Sequence, residues 1–292
     1  MSHKSGFVNI LGNPNVGKST IMNALVGEKL SIISPKVQTT RHRIMGIVNG
    51  EDFQIVYSDT PGILKPKYKL QESMMSFVKT ALTDADIILY VTDISESVEM
   101  EGEYLLKIRQ SGVPVIIAVN KIDLTDQVRL EAIVEKWHLS FPQSDIIPVS
   151  GLNSFNLNFL LRSIVDKLPP GEPYFPKDQL TDRYERFFAS EIIREKILLN
   201  YSKEIPYSVE IEIESFKEEK NLTRIGAIIN VERESQKGII IGHKGKMLKK
   251  VGTEARIDME DFFGRKVFLE LLVRVTKDWR DKPALLKNFG YR

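Results

Sequence analysis

The sequence predicts an α/β domain followed by a smaller α+β domain, and three observations carry that expectation. From residue 7 to about residue 168, short apolar runs rich in Val and Ile alternate with amphipathic stretches of helical spacing, the pattern of a parallel sheet covered on both faces. The segment "LPPGEPYFPKDQLTD" then gathers four prolines and a glycine, a linker by composition. Beyond it the order becomes helix, strand, strand, helix, helix, strand. The expected divisions are residues 1–170, a linker over 171–182, and residues 183–292.

At 292 residues, 42% hydrophobic and 27% charged, the chain is long enough for two cores. No apolar run approaches the ~18 residues of a membrane-spanning helix, and "MSHKSGFVNI" lacks the apolar stretch of a secretory signal, so a cytoplasmic protein is expected. With no cysteine, disulfides, thiolate metal sites and cysteine nucleophiles are excluded, and four scattered histidines offer no zinc spacing. Magnesium held through oxygen is the metal that remains. The net charge of +2 is uneven: residues up to Asp178 carry 18 Lys+Arg against 20 Asp+Glu, and the rest 23 against 19. The second domain is therefore the better candidate for a polyanionic partner, although a mixed, solvated surface explains so small a difference equally well.

The first strand, "FVNIL", runs into "GNPNVGKST", residues 12–20, and the helical "TIMNALVG" begins at once. Glycines let such a bend wrap closely with its N–H groups turned inward, and the helix start adds partial positive charge. Gly12, Asn13, Pro14, Asn15, Val16, Gly17, Lys18, Ser19 and Thr20 are thus candidate contacts to a phosphate chain, the alternative being an ordinary glycine turn. In such a cradle Lys18 would reach the β- and γ-phosphates, and the Ser19 hydroxyl would ligate magnesium. The strands "RIMGIVN" and "FQIVYSD" follow, and the second ends in "DTPG". There Asp59 can hold magnesium through water, and the Gly62 N–H can meet the γ-phosphate.

The strand "DIILYVTD" precedes "PVIIAVN", which ends in "NKID". The Asp123 carboxylate can accept from both the ring N–H and the exocyclic amine of guanine, a pair of donors that adenine lacks. The last strand, "DIIPVS", runs into "VSG", Val149 to Gly151, where a backbone N–H of Val149, Ser150 or Gly151 could donate to the guanine oxygen. Singly these signals are weak: "DTPG" also reads as a proline turn, and Asn120 and Asp123 as helix caps.

Together, in this order and at successive strand ends, they resemble the Ras-like GTPases of the translation-factor-related class over about residues 5–168. The resemblance implies GTP and GDP with Mg²⁺ as ligands, hydrolysis of GTP to GDP and phosphate, and a guanine set of Asn120, Lys121, Asp123, Ser150 and Gly151. It also implies a threonine before the second strand that completes the magnesium shell when the γ-phosphate is present. In "SPKVQTTRHRIMG" that residue is Thr40, with Thr39 the alternative. Gln38, Thr39, Thr40, Arg41 and His42, with Asp59, Thr60, Pro61, Gly62 and Ile63, then form the two nucleotide-sensing loops. One departure matters: Ile63 stands where Ras-type enzymes carry a water-orienting glutamine. Intrinsic hydrolysis should be slow unless a backbone group, a retracted Ile63, a partner's side chain or a monovalent cation takes over. Asn15 resembles the asparagine of potassium-stimulated GTPases, which makes K⁺ a candidate cofactor; alternatively Asn15 only favours the bend.

Past the linker, "RYERFFASEIIREKILLNYSKE" reads as a helix with Phe188, Ile192 and Leu199 on one face. "YSVEIEIESF" alternates Val209, Ile211 and Ile213 with Glu210, Glu212 and Glu214, a half-buried strand, and "RIGAIINVERE" is a second strand. A short helix, the bend "GHKG", a long helix with Leu248, Val251, Ala255, Met259 and Phe262 at steps of three and four, and the strand "KVFLELLVRV" complete the domain. Gly242, His243, Lys244 and Gly245, followed by Lys246, Lys249 and Lys250, suit a nucleic-acid backbone; a turn with a solvated lysine face is the plain alternative.

In this element order the bend resembles the glycine loop of a type II KH domain, which clamps about four nucleotides beside an apolar groove for unstacked bases. With "EIIREK", "EIPYSV" and "IIIGHKG", the chain resembles the Era family of bacterial GTPases along nearly its whole length. That resemblance implies a monomer controlled by GTP, which binds ribosomal RNA at the 3′ end of the small-subunit molecule and acts in maturation of the small ribosomal subunit. GTP·Mg²⁺ is expected to order the loops around Thr40 and Asp59 and to bias the KH domain toward RNA, with hydrolysis undoing this. Peripheral contact with the cytoplasmic membrane is a further family property, for which no basic amphipathic anchor is visible here. The alternative is a GTP-dependent switch whose KH-like domain contacts protein or membrane, as in relatives lacking the glycine loop; the intact "GHKG" argues against it.

Overall fold

The computed structural model describes residues 3–96 and 103–291. Six strands form the first sheet: β1 (Lys4–Leu11), β2 (Ile44–Asn49), β3 (Phe53–Asp59), β4 (Ile87–Asp93), β5 (Val115–Asn120) and β6 (Asp145–Pro148), in the order β2-β3-β1-β4-β5-β6. Every residue of β4 is buried, as a strand covered on both faces requires. All neighbours are parallel except β2 and β3, which pair antiparallel from Ile44↔Asp59 to Asn49↔Gln54. The all-parallel sheet expected from the sequence is corrected here. Only Gly50–Asp52 separate the two strands, too few for a crossover but enough for a hairpin. Between the strands lie α1 (Lys18–Val26), α2 (Lys69–Thr83), α3 (Glu103–Arg109) and α4 (Gln127–Ser140), and α5 (Leu157–Lys167) follows β6.

The chain divides into two compact units, one running to Lys65 and resuming over Met74–Asp182, the other comprising Pro66–Ser73 and the residues from Arg183 onward. The proline-rich connection is not loose. It lies along the β2–β3 region, where Ile47 N donates to Leu180 O (2.8 Å), Thr181 Oγ1 to Met45 O (2.7 Å) and Asn49 Nδ2 to Lys177 O (3.0 Å). Gln54 also donates to Phe175 O and accepts from the N–H groups of Tyr174 and Phe175. An edge strand presents unpaired backbone groups, and this segment covers them.

In the second unit, α6 (Glu185–Asn200), α7 (Glu234–Ile241) and α8 (Lys246–Phe263) accompany β7 (Glu210–Glu219), β8 (Leu222–Val231) and β9 (Lys266–Val275), and a short α9 (Pro283–Asn288) follows. The sheet order is β7-β8-β9, with β7 antiparallel and β9 parallel to β8. Alternate residues Ile225, Ala227, Ile229 and Val231 of β8 meet Val251, Ala255 and Met259 of α8 in the core. The face of α6 differs in part from the expectation. Ala189, Ile193 and Ile197 form the core row; of the expected face, Phe188 is buried and Ile192 packs against the core, while Leu199 is 56% exposed. The helix is apolar on more than one side, and the unbroken i, i+4, i+8 row wins. Glu210, expected on the solvent face of its strand, is buried and accepts from Tyr291 Oη (2.8 Å). No described helix is long and apolar enough to cross a membrane.

Candidate functional site

β1 ends at Leu11, and residues 12–17 bend beneath the start of α1, whose N-cap, Gly17, carries no side-chain cap. The first N–H groups of α1 are therefore left for an anion. Gly17 has φ +98°, and a Cβ there would lie 2.1 Å from Asn120 Nδ2. Gly17→Ala should cost at least ~1 kcal/mol in backbone strain alone and displace Asn120 as well; thermal unfolding and GDP affinity measured together should both fall. Lys18 is buried, and its Nζ donates to Gly12 O (3.0 Å) and Asn13 O (2.8 Å). Burial lowers this ammonium group to about 8, against the pull of Asp59 and Glu96.

Three oxygens meet beside it. Ser19 Oγ donates to Asp59 Oδ2 (2.6 Å), and Thr40 Oγ1 lies 3.0 Å from Ser19 Oγ and 3.3 Å from Asp59 Oδ2. Of the two candidate threonines, only Thr40 joins this cluster; Thr39 Oγ1 donates to Lys36 O instead. Burial pushes the Asp59 carboxyl up, while Ser19, Lys18, Ser31 and Thr40 oppose it. Asp59 Oδ1 is buried and has no hydrogen-bond partner among the described residues. One carboxylate with an unsatisfied oxygen and two hydroxyls fit Mg²⁺, which takes few protein ligands and keeps waters and phosphate oxygens for the rest. No cluster of three or more His, Cys, Asp or Glu suited to a metal occurs among the described residues.

The remaining candidates separate. Thr60 Oγ1 donates to Ile10 O and Ile63 N to Gly12 O, so "DTPG" is fastened to β1 and the phosphate bend. Gln38 and Gly62 line the pocket with Lys18, Ser19, Thr40 and Asp123, in a cavity of about 610 Å³. Arg41 and His42 are buried and do not line it. Asn120 bridges two loops: its Nδ2 donates to Val16 O (2.8 Å), and its Oδ1 accepts from Gly151 N (2.9 Å). Ser150 N donates to Phe155 O. The backbone donors of Val149, Ser150 and Gly151, where a contact to guanine was expected, are thus already engaged inside the protein, Val149 N by Val119 O of β5, Ser150 N by closure of the turn and Gly151 N by Asn120. Asp123 remains at the pocket wall, where Ser150 Oγ donates to its Oδ1 (2.5 Å). Lys121 Nζ contacts Asp93 Oδ2 (2.6 Å); burial would raise Asp93, but Lys121 and Ser95 hold it below its ordinary value.

Sequence reasoning missed Leu124 and Leu152, which line the pocket with Asp123, and Glu96, which accepts from Thr92 Oγ1 (2.6 Å). Asp93 had a readable signal, a carboxylate at the end of a buried strand; the others had none.

In the second unit, Gly242 has φ +70° and Lys244 φ +51°, and the loop closes through Gly245 N to Gly242 O (3.1 Å). His243, Lys244, Lys246, Lys249 and Lys250 are exposed; Lys250 Nζ lies 3.8 Å from Glu254 Oε1. Beside the loop is a groove of about 470 Å³ lined by Gly245, Leu248, Lys249, Gly252, Arg256 and Leu269 among others. The apolar floor and cationic rim match what an unstacked base and its phosphate require.

Residues 7–121 match the 50S ribosome-binding GTPase family, and residues 204–280 the KH domain family. GTPase Era of Syntrophus aciditrophicus is 48% identical over 291 residues, which span 99% of this chain and 95% of that protein. The chain belongs to the Era family of GTPases. Era of Clostridium kluyveri is 45% identical over 99% of both chains. A crystal structure of Era in complex with MgGDPNP and nucleotides 1506–1542 of 16S ribosomal RNA superposes with a TM-score of 0.95, at 41% identity and 99% coverage of each chain. A tyrosine-to-alanine variant of Aquifex aeolicus Era bound to GDP·AlF4⁻ gives the same score. The Era fold, a P-loop GTPase domain followed by a KH domain, is the fold of this chain.

Proposed function

We propose that this chain hydrolyses GTP to GDP and phosphate, and that its KH domain binds the 3′ region of small-subunit ribosomal RNA during maturation of that subunit. The observation that carries the reading is the pairing of both sites in one chain with the Era structure that holds MgGDPNP and 16S RNA, aligned over 99% of each chain. The functional division follows residues 1–170 for the nucleotide, 171–182 as connection and 183–292 for RNA.

Residues 12–20 cradle the phosphates, with Lys18 as the point charge on the β- and γ-phosphates. Ser19, Thr40 and Asp59 would hold Mg²⁺, which neutralises charge developing on the phosphate oxygens when bound. Asp123 reads guanine, Ser150 orients that carboxylate, and Asn120 with Gly151 keeps the two loops in register. Gly242, His243, Lys244 and Gly245 grip the RNA backbone, with Lys246, Lys249 and Lys250 beside them. Ribosomal RNA as partner supports a cytoplasmic location; we take the chain to act as a monomer, with membrane contact limited to peripheral association. Filter binding of a small-subunit 3′-end RNA, in GTP analogue and in GDP, tests the reading directly. No retention in either state overturns the RNA assignment.

The gap left by Ile63 calls for another charge at the transition state. Asn15 Nδ2 donates to Pro35 O (2.9 Å), which turns the side-chain carbonyl into the group that could meet a monovalent cation. Turnover should rise when K⁺ replaces Na⁺ at equal ionic strength, and Asn15→Ala should erase the difference while GTP still binds. Positive charge supplied as an arginine finger gives roughly 10³- to 10⁵-fold, and a cation held by one amide should give less. Equal rates in the two salts point instead to an activating partner.

A further inference from the structure

Ser31 lies in the segment between α1 and Thr40, and it is 1% exposed. Its backbone is clamped from both sides by one side chain of α1: Ser31 N donates to Asn23 Oδ1 (3.0 Å), and Asn23 Nδ2 donates to Ser31 O (2.8 Å). Leu30 N donates to the same Asn23 oxygen (3.1 Å). A side chain spent wholly on fixing a neighbour's backbone implies that the neighbour's position matters. The Ser31 hydroxyl has no hydrogen-bond partner among the described residues, and neither has Asp59 Oδ1, which is also buried. The hydroxyl is nevertheless near enough to Asp59 to favour its charged form. A buried donor without an acceptor thus sits beside a buried acceptor without a donor, each carrying the desolvation cost of an unmade bond.

We infer that Ser31 is a positioning residue for Asp59, donating to the carboxylate and fixing its orientation toward Mg²⁺, with Asn23 holding Ser31 in place. The inference rests on the magnesium reading of Ser19, Thr40 and Asp59. Partners in such outer positions set ligand orientation, and their loss typically weakens metal binding about 10- to 100-fold.

The test is a magnesium titration of fluorescent-GDP release from the full chain, with a parallel measurement in EDTA. In the parent, Mg²⁺ should slow release; a parent indifferent to Mg²⁺ would overturn the magnesium reading itself. Given a responsive parent, Ser31→Ala should need roughly tenfold more Mg²⁺ for the same slowing, while release in EDTA stays at the parent rate. Ser31→Cys keeps the shape with a weaker donor and should shift the titration in the same direction by less; it decides the matter if the alanine variant does not fold. The nucleotide-free alanine variant should melt no lower than the parent, since it loses only an unsatisfied hydroxyl. An unchanged magnesium titration in both variants, or equal acceleration of release with and without Mg²⁺, would mean that Ser31 only packs.

Discussion

Replacing His243 and Lys244 with aspartates should abolish binding of single-stranded RNA and leave GTP affinity and intrinsic hydrolysis at the parent level. Both side chains are exposed on the loop that caps the start of α8, so neither supports the core. Gly242 and Gly245 stay in place, and aspartate is among the residues that tolerate the positive φ of position 244. The backbone of the loop is therefore preserved while two carboxylates enter the space that phosphates would occupy. Like charges set against each other across an interface cost several kcal/mol, which predicts a loss on the order of 100-fold or more. Parent RNA affinity should also fall as salt rises, because lysine contacts to phosphate release counterions. Retained, salt-insensitive RNA binding in the double variant would reduce "GHKG" to a turn and remove the RNA reading.

The parts of the two sites that were legible in the sequence are those in which the chemistry needs neighbouring residues. A phosphate cradle is one bend between a strand and a helix, so "GNPNVGKS" states it locally, and the same holds for "DTPG", "NKID" and "GHKG". Contacts made across the fold left no such trace. Arg43, itself buried, donates to Ser58 Oγ (2.5 Å), Asn9 Oδ1 (3.1 Å) and the exposed Asp84, a network joining β1, the start of β2, β3 and the α2–β4 turn; nothing in "TTRHR" reports it. The bridging role of Asn120 was equally hidden, since Val16 and Gly151 lie far from it in sequence.

Periodicity held only in part at α6, placing Phe188 and Ile192 inward but not Leu199. "ERFFASEIIREKILLN" offers apolar residues on several faces, so counting steps of three and four selects more than one stripe. Only the facing sheet, with Val209, Ile211 and Ile229 already inward, decides for Ala189, Ile193 and Ile197. The linker illustrates the converse. Its prolines were read as a break in structure, yet a proline-rich segment still has carbonyls and scattered N–H groups, enough to pair with the edge at β2.

Asp123→Asn should transfer nucleotide preference from guanosine to xanthosine. At the pocket wall the carboxylate presents two oxygens, one already aligned by the Ser150 hydroxyl (2.5 Å). Guanine offers a ring N–H and an amine, both donors, and an ionised carboxylate accepts both. Asparagine keeps one acceptor and turns the other into a donor, which meets the guanine amine head-on. An unmade bond to a buried polar group costs about 1 to 3 kcal/mol, so GTP affinity should fall by roughly 5- to 150-fold. Xanthine carries a carbonyl where guanine has its amine, and the new Nδ2 donates to it. Ser150 adapts, since a hydroxyl can donate to the amide oxygen or accept from its nitrogen; the turn it anchors, closed by Ser150 O accepting from Phe155 N (3.0 Å), should survive. Competition of GTP, XTP and ATP for the variant, with nucleotide-free unfolding as a control on the fold, separates loss of recognition from loss of structure. A variant that still prefers GTP would move base recognition away from Asp123.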